Sequence, residues 1–131
     1  MWTYEQASGR LSKDGIQIAT GYSGFGDGKN NPRFEATHDM GPIPCGLWAI
    51  CGPPYTTAEH GPYVLRLEPE TKATYGRTGF LMHGDSIEHP GEASKGCIIM
   101  DRITRTRVYQ SGDTKLQVVS GVVVADPEIS V

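Results

Sequence analysis

At 131 residues, the chain is long enough for one self-supporting domain, spanning 1–131, and too short for several. Seventeen glycines and nine prolines against 37% hydrophobic residues argue for turns and short strands and exclude a long-helix architecture. A formal charge of −3 and a pI near 5.7 speak against the basic face used in nucleic-acid binding, and no apolar run approaches the ~18 residues of a membrane span.

In chain order, Met1-Trp2-Thr3-Tyr4-Glu5-Gln6 lacks the basic and apolar regions of a signal peptide, which predicts synthesis in the cytoplasm without a Sec leader. Residues 10–19 read as a β-hairpin turning at Asp14-Gly15. Residues 21–32, with Gly21, Gly24, Gly26, Gly28, Asn30 and Asn31, read as a loop. The Gly24-x-Gly26-x-Gly28 spacing differs from a dinucleotide-binding turn, and no helix signal follows it. Gly41-Pro42-Ile43-Pro44 makes a stiff approach to a strand at 47–50, which Pro53-Pro54 is expected to stop because proline cannot donate to a ladder. Across such a strand Cys45 and Cys51 lie about 20 Å apart, beyond disulfide reach, so both are expected to be structural thiols. Together with Cys97 they make an odd count, which leaves at least one thiol free.

Residues 64–68 alternate as a strand closed by Pro69, and the short apolar run 79–83 delivers His83 at its end. Residues 97–100 form the next strand. Asp101 is a fitting N-cap for one helix running to about Gln110, with Arg102, Arg105 and Arg107 expected on its solvent face. Residues 115–119 and 122–124 complete the strands as a hairpin around Ser120-Gly121, followed by a mobile tail after Ala125. Trp2, Tyr4, Trp48 and Phe80 are expected in the core. His38 and His60 fall in turn-rich segments without metal-ligand spacing, and both are expected to be non-catalytic. The sum is a mainly β domain with one short helix.

The chemistry concentrates in residues 83–98. His83 and Cys97 stand 14 positions apart, the histidine followed by Gly84 and the cysteine preceded by Ser94-Lys95-Gly96. A neutral imidazole can take the proton of a nearby thiol, and the resulting thiolate is a strong nucleophile. Glycine at 96 lets a substrate carbonyl and backbone N–H donors come close to the sulfur. His89 is a rival base, but it precedes Pro90 in a loop, where a solvated side chain is the better expectation.

His83, then Ser94-x-Gly96-Cys97, resembles the signature of the L,D-transpeptidase (YkuD-like) catalytic domain, and Gly41-Pro42-Ile43-Pro44-x-Gly46-x-Trp48-x-Ile50 is similar to a second family strand. An ordered set of further segments resembles the compact Tlde1-like branch found as type VI secretion effectors: Tyr4-x-Gln6-x-Ser8-Gly9-x-Leu11, Gly21-Tyr22-Ser23-Gly24, Asn31-Pro32, Gly76-Arg77-x-Gly79-Phe80 and His83-Gly84-Asp85-Ser86. The chain departs from the family at Lys95, where a histidine is common, and at Ile99, where Arg or Asn is common.

The resemblance implies a compact β-sandwich or barrel and a cysteine enzyme acting on the diaminopimelate–D-Ala bond of peptidoglycan tetrapeptide stems, as L,D-carboxypeptidase, as transpeptidase with D-amino-acid exchange, or as both. It implies Cys97 as nucleophile and His83 as base, with Gly96 and Ser94 shaping the oxyanion site. Asp85, Arg77 and Lys95 become candidates for substrate contact. No metal or cofactor is implied. The implied partners are stem peptides, a cognate immunity protein and a secretion-system carrier, with action in the periplasm of a target cell. A silent wall-binding or structural β-domain of a phage or secretion assembly is the alternative.

Overall fold

Strand alternation places one apolar face inward along most of the chain. In the computed structural model, residues 1–71 and 73–121 are described. Their strands are β1 (Trp2–Glu5), β2 (Arg10–Lys13), β3 (Ile16–Thr20), β4 (Tyr22–Ser23), β5 (Gly46–Thr57), β6 (Gly61–Pro69), β7 (Leu81–His83), β8 (Ile98–Ile99) and β9 (Lys115–Val119). One helix, α1 (Arg102–Gln110), and two 3₁₀ turns, Gly26–Gly28 and Pro32–Phe34, complete the described elements. The expected strand at 122–124 and the tail lie outside the described residues.

The fold is mainly β, as the composition predicts. The nine strands form one sheet in the order β3-β2-β1-β9-β5-β6-β7-β8-β4. Its two outer strands, β3 and β4, are separated in the chain by Gly21 alone. A ladder of that width can have its edges one residue apart only if it curls over on itself, and this gives the sandwich-like enclosure of the core. The crossing is tight. A Cβ on Gly21 would collide with the Ile99 carbonyl oxygen, and the Gly21 N–H donates to the Gly9 carbonyl at 2.8 Å.

Trp2, Tyr4, Leu11, Trp48, Ile50, Leu65, Leu67, Phe80, Met82, Ile98, Leu116 and Val118 fill the core, joined by Val108 of α1. All four aromatics expected inside are there. Trp48 meets Phe80 edge-on at 5.0 Å, and its indole N–H donates to the Pro44 carbonyl, so its polar edge is satisfied while its ring is buried.

The β2–β3 hairpin turns at Asp14 and Gly15, both at positive φ (49° and 86°), the backbone a two-residue hairpin loop needs. Asp101 caps α1 by accepting from the Thr104 N–H at 2.7 Å. Two expectations are corrected. Pro53-Pro54 does not end its strand, because β5 runs on to Thr57 while its register to β6 breaks between Cys51 and Tyr55. At such an irregularity no ladder N–H is demanded of proline. Arg105 does not face solvent. It is 5% exposed, and its Nη1 donates to the Pro62 and Tyr63 carbonyls. Cys45, Cys51 and Cys97 are all free thiols.

Candidate active site

β7 and β8 are parallel, pairing Met82 with Ile98 and His83 with Ile99. Parallel neighbours require a long crossover, and here it is the irregular loop 84–97, which accounts for the spacing between the histidine and the cysteine. Met82 and Ile98 point into the core. Side chains alternate along a strand, so His83 and, one residue before β8, Cys97 fall on the opposite face. Both line one groove of about 1230 Å³.

His83 is 1% exposed. Its Nδ1 lies 2.8 Å from the Gly84 carbonyl, an acceptor, so Nδ1 carries the proton and donates. The ring's Nε2 is therefore a bare lone pair in the neutral state, and it has no hydrogen-bond partner although buried. Burial pushes the His83 pKa down to about 4. Burial likewise pushes the Cys97 thiol up to about 11, against a smaller lowering by the Leu81 N–H. At neutral pH thiol and imidazole both rest uncharged.

Two serine side chains and one glycine build the turn before the sulfur. Ser94 is fully buried; its hydroxyl accepts from the Gly24 and Gly96 N–H groups at 2.9 and 3.1 Å and donates to the Cys97 carbonyl at 2.6 Å. Ser23 donates to the Gly96 carbonyl and accepts from the Ile43 N–H, both at 2.9 Å. Gly96 has φ +137°, and a Cβ there would sit 2.5 Å from Nη2 of Arg77. That backbone belongs to glycine. The Gly96 N–H is spent on Ser94, so it is not free to donate to a bound group.

Arg77, expected as a fork for a substrate carboxylate, turns inward. Nη1 donates to the Glu35 and Pro42 carbonyls and Nη2 to those of Gly41 and Lys95. The guanidinium thus clamps segment 35–42 to the cysteine turn, 5.2 Å from the Phe80 ring. Asp85 is likewise engaged. It accepts from Tyr22 Oη, the Ser86 N–H and the Gly91 N–H. Burial alone would raise its pKa, and these donors outweigh burial and hold it low. The carbonyl that holds the His83 ring is Gly84's, while Asp85 fastens the crossover loop. Lys95 stands exposed on the groove wall with Glu88, His89 and Glu92.

Two residues expected to be non-catalytic, His38 and His60, also line this groove. His60, in the turn between β5 and β6, stacks on His83 with ring centroids 3.9 Å apart. Strand periodicity carries no signal for that contact, which depends on the length of the β5–β6 hairpin. His38 lies on the exposed rim of the groove, 2.9 Å from the Tyr75 carbonyl and away from His83 in the described contacts. Among the described residues no three His, Cys, Asp or Glu side chains converge as metal ligands, and no helix is long and apolar enough to cross a membrane.

The sequence model of the Tlde1 domain matches residues 17–124. The chain belongs to the Tlde1-domain family. This is a family of type VI secretion effectors. The matched span of the Tlde1 domain runs from β3 past β9 and includes the whole β7–loop–β8 unit with its groove. No curated protein and no solved structure matches the chain.

Proposed function

We propose that this Tlde1 domain is a cysteine enzyme of the L,D-transpeptidase type that cleaves or exchanges the D-Ala of peptidoglycan tetrapeptide stems at the diaminopimelate carbonyl, delivered as an antibacterial effector to the periplasm of a target cell. The observation that carries the reading is the bare, buried Nε2 of His83 in a groove shared with Cys97. A buried acceptor with no partner is costly, and a fold keeps one where a donor arrives during function.

The thiol and imidazole pKa values lie far enough apart that moving the proton between them in the empty groove costs on the order of 10 kcal/mol before the attraction of the resulting charges. Proton transfer is therefore coupled to attack. Cys97 Sγ bonds to the diaminopimelate carbonyl carbon as its proton passes to His83 Nε2, and the oxyanion is met by the Cys97 N–H. Collapse breaks the C–N bond, and His83 returns the proton to the departing D-Ala amine. The thioester is then opened by water or by an incoming D-amino acid, with His83 again taking the attacking proton and giving it to the sulfur. Gly96 admits the substrate to the sulfur. Ser94, Arg77 and Asp85 hold the turn and loop that frame the pocket, and Lys95 lies free for a stem carboxylate. In a producing cell this activity calls for a secretion carrier and an immunity protein.

The test is mass spectrometry of defined tetrapeptide muropeptides incubated with the protein. Release of D-Ala, or its replacement by an added D-amino acid, is expected. Cys97→Ala should abolish it, and His83→Ala should reduce it about 10²–10⁴-fold. Intact stems with the parent protein, or turnover that survives Cys97→Ala, overturn the proposal.

A further inference from the structure

The tip of the β5–β6 hairpin covers the proposed base. The His60 ring lies on that of His83 with planes 25° apart and centroids 3.9 Å apart, the geometry of a stack. The tip is held from both sides. The His60 N–H donates to Thr57 Oγ1 at 2.8 Å, and two residues downstream Arg105 of α1 binds the Pro62 and Tyr63 carbonyls. His60 itself keeps 19% side-chain exposure, so it separates His83 from solvent. The charged and titratable groups around the His83 ring are His60 and Glu59 from this tip and Arg105 from α1.

We propose that His60 is a positioning residue: its ring is a flat cover that fixes the plane of the His83 imidazole and keeps water off it, leaving Nε2 buried and unpartnered in the groove wall that Cys97 shares. This rests on the reading of His83 as the base. A ring held on one face by an aromatic and at one edge by the Gly84 carbonyl has little freedom left, and a proton acceptor gains from such preorganisation. What matters is the flat ring rather than its nitrogens. The nearest acid, Glu59, sits 3.7 Å from His60 Nε2 and is largely exposed, a weak partner for any proton relay.

The proposal is tested with His60→Ala and His60→Phe in the full chain by two readouts: an NMR titration of the His83 ring, and kcat and KM for D-Ala release against pH. His60→Ala admits water to the ring and should raise the His83 pKa by about one unit or more. The same variant should lower kcat about tenfold with little change in KM. His60→Phe restores the stack and should return both values towards the parent's. An unmoved titration in His60→Ala, or a His60→Phe protein that behaves like His60→Ala, overturns the role. Should His60→Ala fail to fold, the titration of His60→Phe decides: a pKa kept low upholds the cover, and a raised one removes it. A parent that releases no D-Ala sinks the functional reading, while the titration still answers for His60.

Discussion

Ser94 shows how one hydroxyl organises the candidate site. It is fully buried and makes three hydrogen bonds, two accepted from N–H groups and one donated to a carbonyl, all to the backbone around Cys97 or the Gly24 turn. Replacing it with alanine removes no apolar contact of consequence but strands those three groups in a dry place. Each unsatisfied buried group costs about 1–3 kcal/mol, with some relief from relaxation or an entering water. Ser94→Ala should therefore lower the unfolding free energy by about 3 kcal/mol, read as a lower urea midpoint at unchanged slope. Ser94→Thr is not a neutral control, since it adds a methyl at a fully buried position. A midpoint within experimental scatter of the parent would mean that the Gly24 and Cys97 segments find other partners. Cys97 itself is set by what surrounds it: the positive φ of Gly96, the Arg77 clamp behind it and the Ser94 staple beneath. None of these contacts needs the substrate to form.

The elements that carry the site differ in how far local sequence specifies them. The β2–β3 hairpin and α1 were legible because their signals are short-range: Asp14-Gly15 in a two-residue turn, and Asp101 as a cap before a helical pattern. That residues 83 and 97 end up lining one groove is consistent with the glycine-flanked motif that singled them out. The stacking of His60 and the burial of Arg105 were not legible, because both depend on a long-range meeting of the β5–β6 tip with α1, which no periodicity announces. Prolines at 53 and 54 misled for a related reason. The rule that proline ends a strand applies to a regular ladder, and β5 is irregular there. The cap gives a prediction at this scale. Asp101→Ala leaves the Thr104 N–H without its acceptor and should cost about 1 kcal/mol of stability. Because α1 anchors the β5–β6 tip through Arg105, amide exchange at residues 58–63 should speed up with it, while exchange in β1, β2 and β9 should change only by the global amount. Equal acceleration everywhere would mean that helix and hairpin are not separately coupled.

Proton linkage acts on the molecule as a whole, and its sign follows from the buried groups. His83 is held at about 4 in the folded chain against about 6.5 unfolded, with burial as the main cause. Between those values the unfolded state binds the extra proton and the folded state does not, so the stability contribution is fully present above pH 6.5 and is lost as pH falls towards 4. The loss amounts to about 3 kcal/mol, at a limiting slope near 1.4 kcal/mol per pH unit. On the alkaline side the sign reverses. Cys97 is raised to about 11 and Cys45 to about 12, again by burial first. Above pH 9 the unfolded thiols ionise while the folded ones resist, and stability falls as pH rises towards those values. The carboxylates held low, Glu35, Asp85, Asp101 and Asp113 among them, lose their contributions only below their unfolded values near pH 4. Unfolding free energy from urea titrations should thus plateau between about pH 6.5 and 8 and decline on either side, with the terminal ammonium held by Asp113 and Asp14 the first group to lose its contribution as pH rises. The acid limb above pH 4.5 belongs to His83, so His83→Gln should flatten it whatever that substitution does to absolute stability. A parent protein with no slope between pH 6.5 and 4.5, or a His83→Gln protein with the parent's slope, would mean that burial does not hold the folded imidazole neutral below pH 6.5, and a protonated ring has no lone pair to offer the Cys97 thiol.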